Sequence, residues 1–435
     1  MADYTEIELK LNGLSYGGKA VGRMDGKVYF VEGGAPQELV RARVLRERKR
    51  FTEAEVAEVL EASPSRVEPN CPHFGLEGCG GCFWQYMNYA EQVEQKRAII
   101  KDQLERIGGF TTLPKIKFVA SPNEFGWRDK LRMHFSKNGL PGMMRRNSNE
   151  VMEIDRCPVA SDGVNALLAN LREYLKDGPK LSGEVELGFS PFEKSAALHL
   201  ILKERSPKGL ADEMLEKIPN LKGVAVDTPQ GRFRRGECEL IFQHKISGQT
   251  FKWKQAIDSF WQANDGSNLL AKQAVWDEIN KVAEKSGKPK YALEIFGGSG
   301  NFTQVLAKSC RHVTMMESNQ KACVHARRNL LEQNAESYEI LMGEALKTLK
   351  EFSSRRKRPD LIFLDPPRAG FSKGMPLITK LGPQTIIYLA CDPSIQARDL
   401  KVLCESGYKL ESITGFDFFP QTYHIETLAV LVKEA

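Results

Sequence analysis

No stretch of this 435-residue chain approaches the run of about 18 apolar residues that a membrane span needs, and the opening MADYTEIELK has no apolar core of a secretory signal. A cytoplasmic protein is expected. Internal repeats and low-complexity segments are missing too, so nothing suggests a solenoid or a disordered tail. Neither sign of charge dominates: 62 Lys and Arg against 56 Asp and Glu leave a net +6 and a pI near 8.7. That mild basicity suits a polyanionic partner without requiring one. The nine cysteines, an odd number, argue against a disulfide framework and leave thiols that are reduced, metal-bound or catalytic. What is present is globular, with 41% hydrophobic and 27% charged residues, and the length suits about two to four domains.

Residues 4–60 alternate apolar and polar residues (IELKL, KVYFV, ELVRARVL) between glycine turns, the pattern of a small antiparallel barrel. Its last strands carry Arg41, Arg43, Arg46, Arg48, Lys49 and Arg50, and alternate spacing sets several on one face, where they can follow phosphates or simply meet solvent. The linker SPSRVEPNCP then leads into a cysteine cluster. Between residues 88 and 107, Val93, Ile100, Leu104 and Ile107 recur at helical spacing before Gly108-Gly109. Residues 116–255 mix short strands (LRMHF, VELGF, ALHLILK, GVAVD) with one or two helices. From about residue 290 strands and helices alternate regularly, which predicts a doubly wound parallel sheet with ligands at the carboxyl ends of its strands.

The motifs fall at those ends. Strand YALEIF runs into Phe296-Gly297-Gly298-Ser299-Gly300-Asn301, a turn that lets a ligand approach the backbone where a helix begins. Thr303 stands where a dinucleotide fingerprint has its third glycine, which disfavours NAD. Glu317 closes the second strand, where a carboxylate can take both ribose hydroxyls, so the pair favours an adenosyl ligand. Asp365 ends the fourth strand ahead of two prolines that restrict the backbone. Cys391 ends the fifth strand just before a helix, whose dipole stabilises a thiolate, the setting of a nucleophile rather than of an inert core cysteine.

Read together, FWQAN, LEIFGGSGNFT, LDPPRAG, ACDPS with ARDL, and FPQTYHIE resemble, in order and spacing, the motif series of the RNA uracil-5-methyltransferase family. The resemblance covers essentially the whole chain, and the opening barrel resembles the TRAM domain, an RNA-binding module. It implies an α/β, Rossmann-like class I methyltransferase domain, a central α+β domain and an N-terminal OB-like β-barrel. The limits expected are 1–62 for the barrel, 63–91 with 124–256 for the central domain, and 92–123 with 257–435 for the catalytic domain, residues 92–123 supplying a helix that packs on it. The implied cofactor is S-adenosyl-L-methionine, held by Gln262, Phe296, Asn301, Glu317 and Glu344. Cys391 is the implied nucleophile and Glu426, facing it from the final antiparallel strand, the general base; Asp365 orients cofactor or base. Two departures stand out. Ala390 and Asp392 flank the nucleophile where Ser and Asn are common, and the acid is expected to raise the thiol pKa. Gly297 replaces a frequent cysteine, a change expected to be silent.

Cys71, Cys79 and Cys82 sit as C-x7-C-G-G-C, and Cys157 supplies a fourth thiol. Four thiolates suit zinc as well as iron and sulfur, and spacing does not separate them. The resemblance implies a 4Fe-4S cluster, although the first gap is two residues longer than the family's usual five. Cys238, Cys310, Cys323 and Cys404 match no motif and are read as core or helix-face residues. With barrel and cluster the chain is most similar to the branch that modifies 23S ribosomal RNA, which implies a uridine of the 1939 class as target and a monomeric enzyme. Two readings compete: the same chemistry on another ribosomal uridine or on transfer RNA, and an RNA-binding assembly protein with impaired catalysis.

Overall fold

The computed structural model describes residues 5–355 and 357–434, so residues 1–4, residue 356 and residue 435 of the expected domains lie outside it. Strands β1 (Glu6–Leu14), β2 (Ala20–Met24), β3 (Lys27–Glu32), β4 (Leu39–Glu47) and β5 (Phe51–Glu61) close a barrel in the order β1-β2-β3-β5-β4. Every second residue turns inward, so Leu9, Leu11, Val31, Val40 and Ala42 form its core. The expectation of an antiparallel barrel fails at one seam, where β3 and β5 run parallel. Parallel neighbours need a crossover, and here β4 is that crossover. The basic stretch is also divided: Arg41 pairs with Glu58 and Glu8, and Arg43 with Glu55. Arg46, Arg48, Lys49 and Arg50 lie exposed around the β4–β5 turn.

Helix α1 (Tyr89–Arg106) and strand β6 (Ile116–Val119) follow. The next unit is β7 (Lys130–Phe135), β8 (Pro141–Met144), β9 (Val151–Glu153), α2 (Asp162–Lys176), β10 (Gly183–Ser190), β11 (Ser195–Leu202), α3 (Leu210–Lys217), β12 (Leu221–Thr228) and β13 (Gly231–Gly236). Its strands form one sheet in the order β13-β12-β11-β10-β7-β8-β9, covered by α2 and α3 over an apolar core. A hairpin, β14 (Glu239–Ile246) and β15 (Gln249–Ala256), joins the two halves of the molecule. Phe242 and Trp253 pack with residues of the central sheet, while Ile246 and Phe251 pack into the catalytic core.

The catalytic unit continues with α4 (Asp265–Ser286), β16 (Ala292–Ile295), α5 (Thr303–Ser309), β17 (Val313–Glu317), α6 (Gln320–Glu332), β18 (Tyr338–Met342), α7 (Ala345–Ser353) and β19 (Leu361–Leu364). It ends with α8 (Met375–Leu381), β20 (Thr385–Ala390), α9 (Pro393–Glu405), β21 (Tyr408–Phe416) and β22 (Glu426–Lys433). The sheet order is β18-β17-β16-β19-β20-β22-β21-β6, parallel from β18 to β20 and antiparallel on both sides of β22. Buried on both faces, the central strands β19 and β20 read as nearly continuous apolar runs. β6 adds a parallel edge beside β21, so residues before the central sheet belong to the catalytic sheet.

α1 packs on α9 through a face that includes Ile99, Ile100 and Leu104. Ile107 does not join this stripe and is 48% exposed. In its place Gln92 and Lys96 are fully buried, each for a polar reason. The Lys96 ammonium donates to Asp417 at 2.7 Å and to the Phe419 carbonyl at 3.1 Å. Gln92 donates to the Gln421 side chain (2.9 Å) and accepts from the Gln421 backbone N–H (3.0 Å). Breaking one half of a buried pair leaves an uncompensated charge. Lys96→Met should therefore lower stability by about 3–5 kcal/mol, and Lys96→Met with Asp417→Leu by clearly less; urea unfolding of the two variants checks this, and equal losses would contradict it.

Candidate active site

Strand ends converge at the carboxyl edge of the parallel sheet. Past β16 the chain turns at Phe296, held at φ +68°, a conformation that is strained for a residue with a side chain. Its ring is braced edge-on by Phe371, centroids 5.0 Å apart, and the N–H groups of Phe296 and Gly297 both donate to the Met316 carbonyl. From the end of β17 the Glu317 carboxylate reaches back, accepting from the Gly298 N–H at 3.0 Å and the Asn319 N–H at 2.7 Å. The glycine turn and the acidic strand end are thereby one unit. Asn301 exchanges two amide hydrogen bonds, 2.8 and 3.2 Å, with Asn268 of α4. Gln262 stands half-buried two residues after Phe260, which is 82% exposed.

Glu344 has a different setting. It is exposed and caps α7, one oxygen accepting from Leu346 N–H and the other from Lys347 N–H, which hold its carboxyl below the usual range. Two residues missed by the sequence reading lie close to this edge. Asn268 fixes Asn301, and Glu294, buried on β16 under the turn, has one oxygen with no hydrogen-bond partner among the described residues. Burial pushes the Glu294 carboxyl up to about 8. An acid inside the apolar strand LEIF was the signal available for it.

The second half of the site is built by β19, β20 and β22. Thr427 pairs with Ala390, so the next step of the antiparallel register sets Glu426 beside Cys391. Asp365 ends β19 next to them, and burial pushes its carboxyl up to about 7. Glu426 is 5% exposed; desolvation, reinforced by Asp365 and opposed by Arg368, holds it well above the ordinary carboxyl range. Desolvation also pushes the Cys391 thiol up to about 12, followed by the charges of Glu426 and Asp365, again with Arg368 in opposition. Desolvation and these carboxylates thus act against the thiolate that the expected helix dipole favours. Asp392 does raise the thiol as expected, but behind desolvation, Glu426 and Asp365. Its main local work is capping: Oδ1 accepts from Ser394 N–H, Ser394 Oγ and Ile395 N–H at 2.9, 2.6 and 3.1 Å. Asp and Asn serve this role about equally. Arg368, three residues past Asp365, is the cation that favours both ionised forms, and the sequence reading gave it no role.

Cys71, Cys79, Cys82 and Cys157 line one small cavity together with Gln85 and Arg128. None is in a disulfide. Burial pushes Cys82 up to about 12 and raises Cys71 and Cys79, with the neighbouring thiols adding to each. Among the described residues no group of three or more His, Cys, Asp or Glu side chains is arranged to hold a metal ion. The loop after Cys82 reaches the catalytic sheet. Phe83 and Trp84 N–H groups donate to the Gln421 carbonyl at 2.8 and 3.1 Å, in the loop that leads to Glu426.

A family model described as tRNA (Uracil-5-)-methyltransferase matches residues 88–434, and the TRAM domain model matches residues 4–57. The chain belongs to the tRNA (Uracil-5-)-methyltransferase family. It is thus an S-adenosylmethionine-dependent RNA uracil-5-methyltransferase with a TRAM barrel. Among relatives of this methyltransferase, an uncharacterized RNA methyltransferase of Aquifex aeolicus is 32% identical over 434 residues, 98% of each chain. The 23S rRNA (uracil(1939)-C(5))-methyltransferase of Aeromonas salmonicida is 30% identical over 98% of this chain and 96% of its own. The fold is that of the Pyrococcus abyssi tRNA (uracil-54, C5)-methyltransferase, solved with S-adenosyl-L-homocysteine, with a TM-score of 0.75 at 23% identity over 98% of this chain and 100% of that one. No described helix of the methyltransferase is long and apolar enough to cross a membrane.

Gly297 is not interchangeable with cysteine here. A Cβ at that position would lie 2.3 Å from Cγ and 2.7 Å from Sδ of Met315, with the Glu294 carboxyl carbon at 3.2 Å. Met315 fills the room a side chain would need, and overpacking typically costs about 1–3 kcal/mol. Gly297→Cys should therefore weaken S-adenosylhomocysteine binding, measured calorimetrically, and Met315→Val should restore part of it. Unchanged affinity in Gly297→Cys would show that the expected silence was right.

Proposed function

We propose that this enzyme methylates carbon 5 of one uridine in 23S ribosomal RNA through a covalent bond between Cys391 and the base. The observation that carries the reading is the β20–β22 register, which sets Glu426 beside Cys391 with Asp365 adjoining both. Phe296, Asn301, Glu317 and Gln262 are assigned to hold the methyl donor, with Asp365 orienting donor or base. Glu344 is the weakest of the cofactor assignments, since capping already occupies both its oxygens.

In this reading Cys391 loses its proton and Sγ adds to C6 of uracil, passing the C5–C6 electron pair toward C5. When bound, S-adenosylmethionine supplies the electrophilic methyl group and a positive charge, which in an acid-lined pocket favours thiolate and carboxylate. Once C5 had taken that methyl group, its donor leaving as S-adenosylhomocysteine, Glu426 would take the proton from C5, the C5–C6 double bond would re-form, and the S–C6 bond would break to free the thiolate. Because Asp392 caps α9 through three accepted hydrogen bonds, the strand-to-helix turn carries no defect that would support an impaired assembly protein.

The ribosomal target is supported by the Aeromonas salmonicida relative, which names uracil 1939 of 23S rRNA. Transfer RNA remains the second reading. The barrel does not separate the two targets, since the fold of the Pyrococcus abyssi transfer RNA enzyme matches 98% of this chain. We assign the protein to the cytoplasm as a monomer.

We further propose that Cys71, Cys79, Cys82 and Cys157 hold a 4Fe-4S cluster. The donor set fits in kind and number, four thiols sharing one cavity. Such a cluster binds each thiolate to a different iron, so it asks for a shared cavity rather than a single coordination sphere.

Two outcomes test these assignments. Cys391→Ala should abolish methyl transfer and form no adduct, whereas Glu426→Gln should accumulate a methyl-labelled protein–RNA adduct on a denaturing gel; turnover by Cys391→Ala, or wild-type turnover by Glu426→Gln, would refute them. Protein purified without oxygen should contain about four irons per chain and lose them in Cys82→Ser, while stoichiometric zinc without iron would refute the cluster.

A further inference from the structure

Helix α9 starts two residues after Cys391, and its buried face carries a carboxylate to which the reaction gives no role. Asp399 has no exposed surface. Its Oδ1 accepts from Nε and Nη2 of the neighbouring Arg398, at 2.9 and 2.8 Å. Its Oδ2 accepts from two other elements at once. One donor is the Phe371 N–H at 2.9 Å, in the loop that follows Asp365. The other is the Tyr388 phenol, also at 2.9 Å, on β20 three residues before Cys391. A buried carboxylate satisfied by four donors is costly to disturb, because each donor would be left unpaired.

The loop reaches Asp399 through Gly370, which lies at φ +73°; a Cβ there would stand 2.4 Å from Ile395 Cγ2 and 2.7 Å from Asp399 Oδ2. Only glycine permits that approach. Arg398 adds a second tie, donating to the Ala369 carbonyl at 3.2 Å. The next residue, Phe371, braces the strained Phe296 of the glycine turn edge-on at 5.0 Å. One turn earlier on α9 the buried Gln396 donates to the carbonyls of Tyr388 (2.9 Å) and Thr427 (3.0 Å), the latter adjoining Glu426. The helix therefore holds the strands of nucleophile and base from behind, and at Asp399 it holds the brace of the glycine turn as well.

We propose that Asp399 is a positioning residue for methyl transfer: one carboxylate oxygen fastens Phe371, the brace of the donor turn, to Tyr388, on the strand that delivers Cys391. It acts through those two residues and not on the substrate. Without it the donor turn and the nucleophile strand lose their common anchor. Methyl transfer needs both in register, and a misplacement of about 1 Å costs on the order of a hundredfold in rate.

The inference rests on the assignments of Cys391 and Phe296, so Cys391→Ala and Phe296→Ala serve as references. For the full chain and for Tyr388→Phe, Asp399→Asn and Asp399→Leu, three quantities are measured: calorimetric affinity for S-adenosylhomocysteine, single-turnover methylation of unmodified 23S ribosomal RNA at saturating donor, and thermal unfolding. Tyr388→Phe cuts one tie and should slow transfer by about tenfold, with S-adenosylhomocysteine bound as in wild type. Asp399→Leu cuts both; it should slow transfer on the order of a hundredfold and weaken S-adenosylhomocysteine binding too. Asp399→Asn, whose amide oxygen can still accept from Phe371 and Tyr388, should keep most of both. A wild-type rate in Tyr388→Phe, Asp399→Asn as impaired as Asp399→Leu, or variants that lose only melting temperature would overturn the proposal. Should Asp399→Leu fail to fold, the rate of Tyr388→Phe decides. Unchanged S-adenosylhomocysteine binding in Phe296→Ala, or methylation by Cys391→Ala, would instead overturn the assignments beneath it.

Discussion

A lysine and an aspartate with no exposed side-chain surface are stable in a protein interior only when each answers the other. Lys96 and Asp417 meet that condition, and much of the site hangs on where they put the loop between β21 and β22. Asp417 fixes its start and Lys96 also takes the Phe419 carbonyl. Gln92 then holds Gln421 in a left-handed backbone at φ +68°. From that anchored loop Tyr423 projects toward the barrel and Glu426 begins β22 beside Cys391. Trp84 of the cysteine-rich loop closes over the same lysine and binds the same loop, so barrel, cysteine cavity and catalytic sheet share one joint.

The electrostatics of the pocket follow from burial. Glu294, Asp365, Glu426 and Cys391 all have the charged form disfavoured by desolvation, and Arg368 is the cation that favours ionisation of Cys391 and Glu426. Burial thus favours the thiol form of Cys391 and the protonated forms of the three carboxyls.

Much of this was legible in the sequence because parallel strands buried on both faces read as apolar runs and their ligand ends are marked by glycine or by an acid. Glu317 and Cys391 were singled out in that way, and the structure sets both at strand ends on that edge. The parallel β3–β5 seam was not, because alternation gives a strand's faces and not its neighbours. Lys96 and Gln92 also escaped: in a helical pattern they read as the polar face, and only their distant partners Asp417 and Gln421 make them interior. The same holds for Asn268, whose significance lies in its contact with Asn301, far along the chain. Gly297 looked like a neutral exchange because Met315, which fills the space, belongs to another strand.

The central claim is that this chain places one methyl group on carbon 5 of a uridine in 23S ribosomal RNA. Mass spectrometry of nuclease-derived fragments of ribosomal and transfer RNA, compared between cells with and without the gene, tests it most directly. The account predicts that a single 5-methyluridine disappears from 23S RNA in its absence, while 5-methyluridine in transfer RNA persists. Intact 23S methylation, or loss confined to transfer RNA, would contradict it.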